Sequence, residues 1–335
     1  MKMNRRRGTP FHLNVSHIKM RKFFKLVSAA IALALIISLS ACGASSGQGS
    51  NAPESNAPES STSPSNAPAG ESGIPAPEDG ADNTITVGVN PVPHAEILEN
   101  AVRDVLAEAG WELEVMVFQD YVLPNTSLEA GELDANYFQT LGYMNGQNED
   151  SGLHLAAVAG VHIEPMGIYS QKYQSLDELP DGAEIGIPND PENTERGLNL
   201  LLQKGLLSSL GGYGTESNVT AESLTNDSEA NPHGYKITTL EAASLPLALP
   251  DLDAATINGN YALEAELPSN YPALEIEEFD EETTVRRTNF IVVRQGDEES
   301  AKTQALVAAI NSDTVKQYIE SIYKGSVIPS FIDPQ

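Results

Sequence analysis

Beyond residue 42 the chain has five arginines, Arg103, Arg196, Arg286, Arg287 and Arg294, amid a large excess of carboxylates. A guanidinium presents parallel N–H donors that match a carboxylate, so a scarce arginine is a natural anchor for an anionic ligand group. Arg196 stands out by position. It follows the turn-forming run Asn189-Asp-Pro-Glu-Asn193, in the first turn of a helix predicted over 194–207. A cation there opposes the helix dipole, and a nearby anion would relieve it. That anion is either a ligand or a neighbouring carboxylate, Glu192 or Glu195, in an ordinary ion pair. Spacing leaves both open.

The histidines past residue 42 are His94, His154, His162 and His233. With Glu96 and Glu164 they could form a metal site, but none shows HxxxH or HxxE spacing. His162-Ile-Glu164 on a strand puts two ligating side chains on one face. The same histidine could equally line a cleft or fill the core, and we assign no metal. Tyr121, Tyr137, Phe138 and Tyr143 gather near two predicted strand ends, as core packing or as a pocket wall. The chain has no nucleophile elbow, no phosphate-binding loop and no dinucleotide fingerprint. We therefore expect neither an enzyme nor a cofactor.

Repeated strand–loop–helix units must position these residues. Ile85-Thr-Val-Gly-Val reads as a strand, the apolar positions Ile97, Leu98, Val102, Val105 and Leu106 as a helix, and Leu113 to Phe118 as a second strand. That opening predicts a parallel sheet. Further strands are expected over 155–163, 184–187, 237–240, 254–257 and 289–294, and helices over 123–130 and 301–323. Residues 211–234 are polar and Gly-rich, a predicted surface excursion. Ligands in such α/β folds bind at the carboxyl ends of strands, where helix N-termini offer free N–H groups. Loops 90–96, 120–125 and 188–195 fit that description.

The N-terminus predicts export. Lys19, Arg21, Lys22 and Lys25 precede an apolar run from Leu26 to Leu39 and then Ser40-Ala41-Cys42, the order of a secretory signal over residues 1–41. The run is shorter than the roughly 20 residues a membrane span needs. Either Met1 or Met20 could be the start. Cys42 is the only cysteine, which excludes an internal disulfide. Residues 42–83 are low in complexity, with Asn51-Ala-Pro-Glu-Ser repeated at Asn56, and are expected to form an unstructured tether. Residues 1–41 hold 8 of the 19 Lys and Arg and none of the 47 Asp and Glu, so the remainder carries 11 against 47, a formal charge of −36. Such a chain repels nucleic acid.

Several motifs, taken together, carry a resemblance. They are Pro91-Val-Pro-His-Ala-Glu-Ile-Leu98, Phe118-Gln-Asp-Tyr-Val122, Gly131-Glu-Leu-Asp-Ala-Asn-Tyr-Phe-Gln139, Val161-His-Ile-Glu-Pro-Met-Gly-Ile-Tyr-Ser170, Ile187-Pro-Asn-Asp-Pro191, Asp253-Ala-Ala-Thr-Ile-Asn-Gly-Asn-Tyr-Ala262 and Gly325-Ser-Val-Ile-Pro329. In this order, over residues 84–331, they resemble the NLPA lipoprotein family, the methionine-uptake substrate-binding proteins of ABC importers. The resemblance implies a two-lobe type II periplasmic-binding-protein fold with a ligand cleft between the lobes. Lobe 1 would span 84–168 and 290–335, and lobe 2 would span 169–289. Cys42 would be the lipidation site, anchoring a monomer to the extracytoplasmic face of the cell membrane. The partners would be a methionine-like small molecule and an importer permease. Arg196 would hold the ligand carboxylate. Asn193, Asn258 and Asn260 would hold the amino-acid backbone, and Tyr121, Phe138 and Tyr143 would enclose the thioether, with His162 also facing the site. Thr140 and Gly142 depart from the family's usual histidine and proline, which leaves room for a bulkier or more polar ligand such as methionine sulfoxide or a dipeptide. Two rival readings are a metal-binding lipoprotein of a metal importer and a non-transport adhesin or sensor.

Overall fold

The computed structural model describes residues 73–215 and 218–334, so the signal, Cys42 and most of the expected tether lie outside the described residues. The end of the tether reading is corrected. Ile74 packs against the first core, the Trp111 indole donates to the Pro75 carbonyl at 2.7 Å, and Lys302 pairs with Asp82 at 2.8 Å. Ile74 is the first large apolar side chain within the low-complexity run, and burying it draws the following residues onto the domain. Among the described residues no helix is long and apolar enough to cross a membrane.

Strand β1 (Thr84–Val89) leads into helical turns over Pro91–Ala95 and Leu98–Val102, then α1 (Arg103–Glu108) and β2 (Glu112–Val117). Next come α2 (Leu123–Glu129), β3 (Ala135–Thr140), α3 (Leu141–Ser151) and β4 (Leu155–Ile163). The chain then enters a second sheet through β5 (Gly167–Tyr169), β6 (Glu184–Pro188), α4 (Pro191–Gln203) and β7 (Lys236–Leu240). That sheet continues with α5 (Leu245–Ala248), β8 (Ala254–Ile257), α6 (Gly259–Glu264), α7 (Leu267–Asn270) and β9 (Glu275–Ile276). Helix α8 (Glu281–Arg287) returns the chain to β10 (Thr288–Arg294), followed by α9 (Ala301–Ile310), α10 (Asp313–Tyr323) and β11 (Ile328–Pro329).

The first sheet has the order β11-β4-β10-β3-β1-β2, and the second β7-β6-β8-β5-β9. Strands β1, β2 and β3 run parallel, with β10 antiparallel between β3 and β4. The apolar run of β10 reflects burial on both faces. Its Ile291 and Val293 pack with Val87, Leu306 and Ile319, while Phe290 and Val292 pack with Leu128, Leu133 and Met144 on the other side. In the second sheet, β6 and β8 lie between α4, which contributes Leu198 and Leu201, and a cluster holding Leu245, Leu249 and Ile257. The supposed surface excursion of 211–234 is also part of this body. Leu224, Ala230 and Asn231 are buried in it, and Asn231 ties the loop by accepting from the Tyr235 N–H at 3.0 Å and donating to the Tyr235 carbonyl at 2.8 Å.

Helix α4 begins at Pro191, three residues ahead of the sequence expectation. Asp190 caps it by accepting from the Asn193 N–H, and proline suits the first helical position because its missing N–H would have no partner there. Arg196 therefore sits in the second turn, and the argument from an opposed dipole does not apply to it.

Candidate functional site

The carboxyl ends of strands from both sheets converge on one cavity. Tyr121 follows β2, and Phe138, Gln139 and Thr140 end β3. Glu164 follows β4, Asn193 and Arg196 come from α4, Asn258, Gly259 and Asn260 follow β8, and Asn289 starts β10. Tyr143 on α3 closes the wall. Eight of the nine candidate positions thus meet: Tyr121, Phe138, Thr140, Tyr143, Asn193, Arg196, Asn258 and Asn260.

His162 is the exception. It is fully buried, one pleat behind the cavity, with Nδ1 2.5 Å from the Tyr137 hydroxyl and Nε2 2.7 Å from Glu164 Oε1. Two residues on along the same face, Glu164 takes the lining place predicted for the histidine. Sequence reasoning also missed Gln139 and Asn289 as lining residues. The signal was present: both lie at the ends of paired strands, and Asn289 registers opposite Thr140.

Arg196 pairs with neither Glu192 nor Glu195. Its Nε donates to Glu277 Oε2 at 2.7 Å, its Nη2 to Glu277 Oε1 at 3.0 Å, and Nη2 also to the Glu164 carbonyl at 2.8 Å. Burial works against the guanidinium charge, and the Glu277 carboxylate more than offsets it, so its pKa is raised. Glu192 and Glu195, on another side of α4, engage Arg286 of α8, and Glu192 also engages Arg287. Gly142 lies against this ion-pair group: a Cβ there would collide with Glu192 Oε1 and lie 3.0 Å from Arg286 Cγ. Glycine at this position thus lets α3 of one lobe approach α4 of the other.

The asparagines form a relay. Asn193 Nδ2 donates to both carboxylate oxygens of Asp190 at 3.0 Å, and its Oδ1 accepts from Asn258 Nδ2 at 2.7 Å. Asn260 Oδ1 accepts from the Tyr121 hydroxyl at 2.6 Å. These bonds fix both amide orientations. Asn258 Oδ1 and Asn260 Nδ2, both buried, then have no hydrogen-bond partner among the described residues. The Tyr121 ring packs at 5.8 Å from Phe138 and 5.0 Å from Tyr261, both tilted, and edge-on at 5.6 Å from Tyr143, giving the cavity an aromatic side. Burial pushes the Tyr121 and Tyr143 phenols up, so both are neutral donors. Thr140 caps α3, its hydroxyl oxygen accepting from the Tyr143 N–H at 3.2 Å. Gly259 starts α6 tight against Glu164, where a Cβ would come within 2.7 Å of Glu164 Cβ.

An acceptor and a donor unpartnered among the described residues, a buried arginine and an aromatic wall in a cleft between two lobes are recognition chemistry. This is a substrate-binding protein and not an enzyme. The chain belongs to the NlpA lipoprotein family, which it matches over residues 85–331. It is 36% identical to the methionine-binding lipoprotein MetQ of Bacillus subtilis over 249 residues, 73% of this chain and 87% of that protein. It is 35% identical to the D-methionine-binding lipoprotein MetQ of Escherichia coli, over 73% of this chain and 88% of that one. Among solved structures, a nutrient binding protein from Burkholderia cenocepacia bound to methionine is similar at a TM-score of 0.67 and 38% identity, covering 74% of this chain and all of that one.

Proposed function

We propose that the cavity captures a zwitterionic amino acid of the methionine type, or a short derivative, for delivery to the permease of an ABC importer. The carrying observation is the pair Asn258 Oδ1 and Asn260 Nδ2, a buried acceptor and a buried donor held in fixed orientation beside Arg196. An amino acid supplies both complements, an ammonium and a carboxylate. The third guanidinium nitrogen, Nη1, is not engaged by Glu277 or Glu164 and is the group that would meet the carboxylate. Tyr121, Phe138 and Tyr143 would enclose an apolar side chain. The names of the relatives, which bind methionine, support this choice. Mass spectrometry of small molecules released on denaturing the purified protein tests it. Recovery of stoichiometric zinc or manganese instead of an amino acid would overturn it.

Thr140 sets the ligand range in this reading. Thr140→His should shift preference toward L-methionine and away from methionine sulfoxide and methionine-containing dipeptides. Adding about 40 Å² of apolar contact is worth roughly 1 kcal/mol, about five-fold in affinity. Because Thr140 also caps α3, the variant should lose about 1 kcal/mol of stability. A competition panel on both proteins checks this; identical rankings would remove Thr140 from the selectivity determinants.

The protein acts as a monomer held to the extracytoplasmic face of the membrane through a lipid on Cys42. Cys42→Ser is expected to leave the membrane fraction or accumulate unprocessed. Undiminished incorporation of labelled fatty acid in that variant would disprove the assignment.

A further inference from the structure

Behind the cavity lies a group of buried side chains that ligand contact alone does not explain. His162 Nε2 is 2.7 Å and His94 Nε2 3.1 Å from the same atom, Glu164 Oε1. The proton positions follow from the neighbours. Tyr137 has its hydroxyl 2.5 Å from His162 Nδ1, and a phenol donates to a ring nitrogen, so the His162 proton sits on Nε2 and points at Glu164. His94 Nε2 faces two acceptors, Glu164 Oε1 and Asn289 Oδ1 at 3.2 Å, so it too carries the proton, while its Nδ1 has no partner among the described residues. The Tyr137 ring packs edge-on against both imidazoles, at 4.8 and 5.4 Å.

We propose that His94 and His162 are positioning residues for ligand capture: their two Nε2–H donors fix the Glu164 carboxylate at the cavity wall, where it accepts the ammonium of the bound amino acid. This rests on the amino-acid reading of the cavity. Burial keeps both rings neutral, pushing His162 down to about 3 and His94 to about 4, the latter opposed by Glu164. Burial also raises the Glu164 pKa, while His94 and Arg196 oppose that rise, so an arriving ammonium completes the stabilisation of the carboxylate. Glu164 is held from the backbone side as well, by the Arg196 bond to its carbonyl and by the contact of Gly259. The same three side chains have ligating atoms within 4.8 Å of one another, close enough for a metal ion. The Tyr137 bond argues for the clamp, because it directs the His162 proton onto the nitrogen a metal would need bare.

The test compares the full chain with Glu164→Gln, His162→Phe and His162→Gln, each titrated with L-methionine and with its des-amino analogue 4-(methylthio)butanoate. Glu164→Gln should weaken L-methionine by about 30-fold or more and leave the analogue nearly unchanged. His162→Phe should weaken L-methionine selectively, by about 10-fold, and His162→Gln, whose amide N–H reaches the place of Nε2, should restore most of the loss. Glu164→Gln is nearly isosteric and keeps an acceptor oxygen, so it decides the matter even if His162→Phe does not fold. Equal losses for both ligands in His162→Phe would reduce the histidines to packing. Binding that a chelator abolishes in the wild-type protein would replace the clamp with a metal. A wild-type protein that binds neither ligand would overturn the amino-acid reading and this inference together. Wild-type binding of L-methionine with an unaffected Glu164→Gln would overturn this inference alone.

Discussion

Arg196→Ala is expected to lower amino-acid affinity by roughly 30-fold or more and to destabilise the fold by about 3–5 kcal/mol. Two separate losses are combined in that variant. The ligand loses its guanidinium, and Glu277, whose side chain is only 9% exposed, loses the partner that makes its burial tolerable. The losses can be pulled apart. Arg196→Ala with Glu277→Ala leaves no uncompensated buried charge and should regain much of the stability while binding stays weak. Urea denaturation gives the first quantity and titration calorimetry the second. If the double variant binds methionine as the wild type does, Arg196 is an internal ion-pair residue only.

Asn258→Leu should separate binding from stability in the opposite sense. Asn258 Oδ1 is buried without a partner among the described residues, and such an atom carries a desolvation cost of about 1–3 kcal/mol. Leucine removes that cost but also the Nδ2 bond to Asn193. The melting temperature of the ligand-free variant is therefore expected to stay near that of the wild type or to rise. Affinity should fall by about 10- to 100-fold, the worth of a hydrogen bond to a charged group. Stabilisation by added methionine would shrink accordingly. A variant that melts well below the wild type without ligand, yet keeps full affinity, would show that Asn258 serves the fold.

Much of the scaffold was legible because its signals are local. The apolar runs of β10 and β4 mark their own limits, and Leu155–Ile163 falls where the sequence placed it. The start of α4 was misplaced although its cap residues, Asp190 and Pro191, were in plain view, because Asn193 and Glu192 read as loop formers when the capping bond is unseen. The site was legible in part. Residues at strand ends could be nominated, since that is where such folds bind ligands. The partner of Arg196 could not, because Glu277 lies 81 residues on, just past β9. The depth of His162 was likewise invisible: period-two alternation gives the face of a strand but not which of two same-face residues stands nearer the opening.

The placement of β10 bears on the order in which the molecule can assemble. This strand lies between β3 and β4 in the first sheet, yet the whole second sheet intervenes in the chain. The second sheet is one uninterrupted stretch, from β5 to β9, and can close as soon as that stretch has been synthesised. The first cannot. Until residues 288–294 arrive, β3 and β4 have no strand between them, and Phe290 and Val292 are missing from the cluster around Leu128 and Leu133. The first lobe is thus the late-maturing half, governed by long-range closure, and its half-built edges are where a chaperone or a protease would act during folding.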